Sequence, residues 1–154
     1  MIENIRRSTW FAILPVLCCS LLVLLGQYST AQTTKTGKLT VKITGIRSAE
    51  GNIRIAVRTG DDTIVKSKIV EIDPKTLTAE VEFDNLPEGT YGVAVMHDQN
   101  KNEKLDFDDA GMPLEGYGHS NNPAKRPGPP SFDETKFALT AQGSSIEIAL
   151  IYWP

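Results

Sequence analysis

The chain has 154 residues, 16 Lys and Arg against 19 Asp and Glu, a formal net charge of −3 and 40% hydrophobic side chains. This composition fits one soluble domain behind a short leader. An acidic balance without a basic patch excludes nucleic acid or anionic lipid as the main partner, because phosphates are bound by clustered Lys and Arg.

Arg6 and Arg7 precede an uncharged apolar run from Trp10 to Leu25, and Ser29-Thr30-Ala31 supplies small residues for a peptidase. Residues 1–31 are therefore expected to be a cleaved export signal. The run is interrupted by Pro15 and is shorter than the roughly 20 residues a membrane span requires, so no span is expected in the mature chain. Cys18 follows Leu17 and Cys19 follows Cys18, which is not the small-residue setting of a lipid-modified cysteine. Both thiols leave with the leader, and the mature protein stands without disulfides in the periplasm, at the cell surface or outside the cell. A flexible lead at 32–37 then opens into a domain at 38–154.

Apolar residues recur at every second position in Leu39, Val41, Ile43 and again in Ile53, Ile55, Val57, which marks two strands. Ser48-Ala49-Glu50-Gly51-Asn52 between them suits a hairpin connection. Ile64 to Ile72 reads as an edge strand, its Lys66 and Lys68 discouraging self-association, and Pro74 ends it. Ala79, Val81, Phe83 and Tyr91, Val93, Val95 flank Asn85-Leu86-Pro87-Glu88-Gly89, a second expected hairpin. Leu86 to Tyr91 resembles the approach to a tyrosine corner, in which the phenol ties down nearby backbone. Phe137 and Leu139, then Ile146, Ile148 and Leu150, complete seven strands. No segment has helical apolar spacing. The expected fold is all-β, a single seven-stranded antiparallel β-sandwich of immunoglobulin-like or transthyretin-like type.

Asp98 to Ser131, between the fifth and sixth strands, lacks alternation. Loops of this length inside compact domains are usually functional or disordered. Five prolines and four glycines lie there, and Asp98 to Glu115 carries six acidic and two basic residues. Asp98, Asn100, Asn102, Asp106 and Asp109 stand at relative positions 1, 3, 5, 9 and 12, the spacing of a calcium loop. A tightly wound backbone brings alternate side chains around one centre, and position 7, Lys104, offers its carbonyl. Asp98, Asn100, Asn102 and Asp106 are the expected side-chain ligands, with Asp108, Asp109 or Glu115 closing the sphere. Glu103 stands at position 6, where glycine makes the sharp turn of an EF-hand, and a strand leads in where a helix should, so the expectation is a related loop on a β scaffold.

His97 and His119 are the only histidines. With a carboxylate they could be assembled into a zinc site, but the spacing does not demand one, and no nucleophile elbow or cysteine nucleophile is present. His97 is better read as capping its strand and orienting the loop. No catalytic or cofactor-binding residues are assembled, which points to a structural or binding module. A metal-dependent hydrolase or a carbohydrate-binding protein using the same loop is the alternative. Expected partners are a calcium ion and a surface glycan or protein. Gly111 to Asn122 alternates flexible and stiff residues, as a long loop held on a defined path would.

His97-Asp98-Gln99-Asn100-Lys101-Asn102, Lys104-Leu105-Asp106, Gly111-Met112-Pro113-Leu114-Glu115-Gly116-Tyr117-Gly118 and Pro129-Pro130-Ser131-Phe132 carry a resemblance. From about Lys38 to Tyr152 the chain resembles the bacterial exported proteins grouped as domain of unknown function 2141. The resemblance implies export and an immunoglobulin-like or transthyretin-like sandwich, and it implies no reaction. The asparagine-rich loop is also similar to those of calcium-stabilised adhesin repeats, which implies a structural ion.

Overall fold

A computed structural model describes residues 34–126 and 128–153. The expected leader, including Arg6, Arg7 and the Trp10 to Leu25 run, lies outside the described residues. Among the described residues, no helix is long and apolar enough to cross a membrane.

The described chain is all-β, with eight strands and one short helix: β1 Thr36–Thr44, β2 Asn52–Arg58, β3 Ile64–Val70, β4 Ala79–Pro87, β5 Gly89–Asp98, β6 Tyr117–His119, α1 Phe132–Thr135, β7 Phe137–Leu139 and β8 Ser144–Ala149. They form a three-stranded sheet ordered β4-β1-β8 and a five-stranded sheet built on β3-β2-β5-β6, with β7 also paired to β5. Strand β1 already begins at Thr36, inside the segment expected as a lead.

Period-two alternation explains the strands that face each other across the core. Leu39, Val41 and Ile43 of β1, Ile53, Ile55 and Val57 of β2, and Val93 and Val95 of β5 are buried in one cluster with Val81, Phe83, Leu139 and Ile148. Burying each such side chain contributes about 1.5–3 kcal/mol before the cost of ordering the chain. Tyr91 makes the expected corner, its hydroxyl donating to the Pro87 carbonyl at 2.9 Å. Strand β3 is an edge, as its lysines suggested. Lys66 and Lys68 reach the backbone carbonyls of Asp84 and Glu82, closing the side of the sandwich.

Four expectations require correction. The sandwich is not seven-stranded: β6 lies inside the segment that shows no alternation, since three residues are too few to reveal a period. The three-stranded sheet is mixed and not antiparallel throughout, because β1 and β8 pair in parallel from Leu39↔Ser144 to Thr44↔Ala149. The Ser48–Asn52 and Asn85–Gly89 connections are not hairpins, because β1 and β2, and likewise β4 and β5, belong to different sheets. Turn chemistry reverses the chain in either case, and it does not specify which strand supplies the hydrogen bonds. A one-turn helix, α1, also forms where none was expected. Ser131 caps it, with the Glu134 carboxylate accepting from the Ser131 amide and hydroxyl at 2.9 and 2.7 Å.

Candidate functional site: an acidic loop beside an apolar groove

Alternation along β5 turns Tyr91, Val93, Val95 and His97 toward the core and Ala94, Met96 and Asp98 toward the outer face of the five-stranded sheet. His97 is fully buried at the end of that row. Its Nε2 lies 2.7 Å from the Glu50 carbonyl, and its Nδ1 lies 2.7 Å from the Tyr152 hydroxyl. A carbonyl only accepts, so Nε2 carries the proton; in the neutral ring Nδ1 then accepts from Tyr152. The tyrosine oxygen accepts in turn from the Arg47 amide at 3.3 Å. Burial raises the Tyr152 phenol above its ordinary value, which favours the donor form needed here. His97 thus pins the β1–β2 connection and the C-terminal segment to the start of the loop.

Asp98 is also fully buried. Its Oδ1 accepts from the Asn102 amide at 3.0 Å and its Oδ2 from the Glu103 amide at 2.9 Å. Arg54 stands 3.6 Å from Oδ2 and equally far from the Glu103 carboxylate. These bonds hold a tight winding in which Lys101 and Glu103 have φ of 59° and 69°. Glu103 therefore makes the left-handed turn at position 6 that glycine would make in an EF-hand, at a steric cost of about 1–2 kcal/mol that the Asp98 carboxylate offsets.

Inside the winding, Asn100 and Asn102 use their Oδ1 atoms to accept from the Asn102 and Lys104 amides at 3.0 and 2.9 Å. Their side-chain amides donate to the Asp106 carboxylate at 2.6–2.9 Å. Glu115, nearly buried, closes the far side, its two oxygens accepting from the Gln99 and Asp106 amides at 2.8 and 3.2 Å. The structure therefore brings Asp98, Asn100, Asn102, Asp106 and Glu115 into one hydrogen-bonded unit. Lys104 enters it through its amide. Asp109 is exposed and makes no hydrogen bond or ion pair among the described residues, whereas Asp108 caps the following turn by accepting from Ala110 and Met112 at 2.9 and 2.8 Å. Among the described residues, no three His, Cys, Asp or Glu side chains are grouped to hold a metal, so His97, His119 and a carboxylate do not form the zinc arrangement considered as an alternative.

Beyond Asp106 the loop doubles back as a small ribbon, with Phe107 bridged to Pro113 and the Leu114 amide bonded to the Asp106 carbonyl. This ribbon borders a groove of about 990 Å³ over the outer face of the five-stranded sheet. Tyr152 and this groove were not singled out as site features by sequence reasoning. Tyr152 lies 55 positions from His97, and no local signal links them.

A family model described as an uncharacterized protein conserved in bacteria, DUF2141, matches residues 41–147. The chain belongs to the DUF2141 family. No curated protein and no solved structure is significantly similar to it. The match spans β2 to β7, and with them the whole acidic loop, so the loop is part of the family domain.

Proposed function

We propose that the chain is an exported structural or binding module of the DUF2141 family whose Asp98–Glu115 loop takes up a calcium ion. The observation that carries this reading is the winding at Lys101 and Glu103, which gathers Asn100, Asn102 and Asp106 in the order a calcium loop uses. Ligands would be the Asp106 carboxylate, the Asn100 and Asn102 side-chain oxygens, the Lys104 carbonyl and a remaining lone pair of Asp98. Glu115 suits closure better than Asp109, because its carboxylate already braces both ends of the winding. Uptake requires the two asparagine amides to rotate away from Asp106. With largely neutral donors, affinity falls in the range of about 10⁻⁴–10⁻³ M. The bound ion would neutralise the loop and fix the wall of the adjoining groove.

A second reading is favoured by the same asparagine amides. Their three contacts with Asp106 satisfy it without any ion, making the loop a closed polar turn. Calorimetric titration and thermal melting separate the two. On the calcium reading, a concentration ten times Kd stabilises the fold by about 1.4 kcal/mol, a rise in Tm of roughly 4–6 °C, and chelator reverses it. Asp106→Ala removes the response. No heat at millimolar calcium together with an unchanged Tm establishes the closed turn. Asp98→Ala is the poorer probe, since its carboxylate anchors two backbone amides whether or not an ion binds.

A further inference from the structure

The groove on the outer face of the five-stranded sheet has a use that the ion chemistry of the loop does not supply. Its floor is low because the register places Ala56 opposite both Ser67 and Ala94, between the taller row of Ile69, Arg54 and Met96 and the walls. Phe107 and Ile69, exposed by 56% and 52%, border a space of about 990 Å³, at the upper end of small-molecule sites.

We propose that this groove binds an amphipathic carboxylate: an apolar chain or ring system ending in one anionic group, free in solution. The apolar borders supply the body of the site. At its polar points hydrogen-bond donors prevail. Its lining includes Arg54 and Arg126 and no Asp or Glu, on a chain whose overall charge is negative. The guanidinium fork of Arg126 is taken up by Glu134 at 2.7 and 2.6 Å. Arg54 comes no closer than 3.6 Å to the carboxylates of Asp98 and Glu103 and hydrogen-bonds to neither, which leaves its N–H donors for a ligand. The Tyr117 oxygen accepts from Trp153 Nε1 at 2.9 Å and, among the described residues, gives its own proton to no partner. A carbohydrate would meet no carboxylate or carboxamide side chain here, and a cation would meet guanidinium. An anion-ended apolar molecule satisfies both halves of the lining, with its carboxylate on Arg54 and Tyr117.

This inference goes beyond the calcium reading and does not depend on it. The test is displacement of the fluorescent anion 1-anilinonaphthalene-8-sulfonate from the protein by dodecanoate, dodecanol and dodecyltrimethylammonium, each below its micellar concentration, in calcium and in chelator. Dodecanoate is expected to displace the probe at least ten times more tightly than the other two. Ala94→Phe, and independently Ala56→Leu on the neighbouring strand, should weaken dodecanoate at least tenfold with Tm unchanged. Arg54→Gln should bring dodecanoate within about threefold of dodecanol. Equal displacement by all three amphiphiles, retained affinity in a folded floor variant, or binding to phosphatidylglycerol vesicles with no response to dissolved dodecanoate overturns the proposal. Dodecanoate binding that persists in chelator, with no calcium heat, leaves the groove standing and removes the ion.

Discussion

His97 combines complete burial with two short hydrogen bonds, one to a backbone carbonyl and one to the hydroxyl of Tyr152. Tyr152→Phe removes the second partner and leaves both the His97 Nδ1 and the Arg47 amide without theirs. A buried polar atom left unpaired costs about 1–3 kcal/mol. A fall of roughly 1–2 kcal/mol in unfolding free energy is expected, read as a lower urea midpoint at unchanged slope; an unaltered midpoint would show that water replaces the phenol. Asp98 follows the same logic, since its carboxylate is engaged by the amides of Asn102 and Glu103. The spacing of oxygen-bearing residues was legible in the sequence because it is local. That Asp98 and Glu115 are both buried and brace the winding was not, because their burial depends on segments folded over them.

Among the elements, the turn between β1 and β2 shows how a connection is fixed from outside itself. Gly51 has φ +76°, and a Cβ there would collide with the Asp98 carbonyl at the end of β5. Gly51→Ala therefore combines a left-handed penalty with a backbone clash. A loss of about 2–4 kcal/mol is expected, and hydrogen exchange at the Asn102 and Glu103 amides should accelerate, because displacement of Asp98 releases both. Exchange as slow as in the parent protein would separate the turn from the loop. The acidic loop is itself composite: a winding to Asp106, a ribbon from Asp106 to Leu114, then β6. Its composition marked it as distinct. Its β content was hidden because strands of two or three residues carry no readable alternation.

At the scale of the molecule, acid should weaken the fold in two stages. His119 titrates at about 4, below its ordinary 6.5, because burial disfavours the imidazolium and Arg58 repels it. The unfolded chain therefore binds a proton that the folded chain does not. Stability is whole above pH 6.5 and declines as pH falls toward 4, by about 1–2 kcal/mol once solvent screening at this partly exposed ring is allowed for. Glu134 titrates at about 2, held down by its hydrogen bonds to Arg126 and then to Ser131. Its contribution is present above 4.5 and fades as pH falls toward 2. Urea midpoints at pH 7, 5 and 3 should trace both stages, and His119→Gln should flatten the first alone. A parent protein with equal midpoints at pH 7 and pH 4 would contradict the assignment.

Sequence alone determined the class of fold, because alternating apolar residues can bury only one face of a strand. It likewise marked where the acidic loop begins, at the end of the fifth alternating segment. Only the tertiary structure decided that β1 lies between β4 and β8, that β8 runs parallel to it, and that β2 joins β5 in the other sheet. Strand partners are chosen by backbone hydrogen bonds between residues far apart in the chain, and the same alternation serves a strand in either sheet. The groove emerged at that stage too, since Ala56 and Ala94 form a floor only once their strands are neighbours.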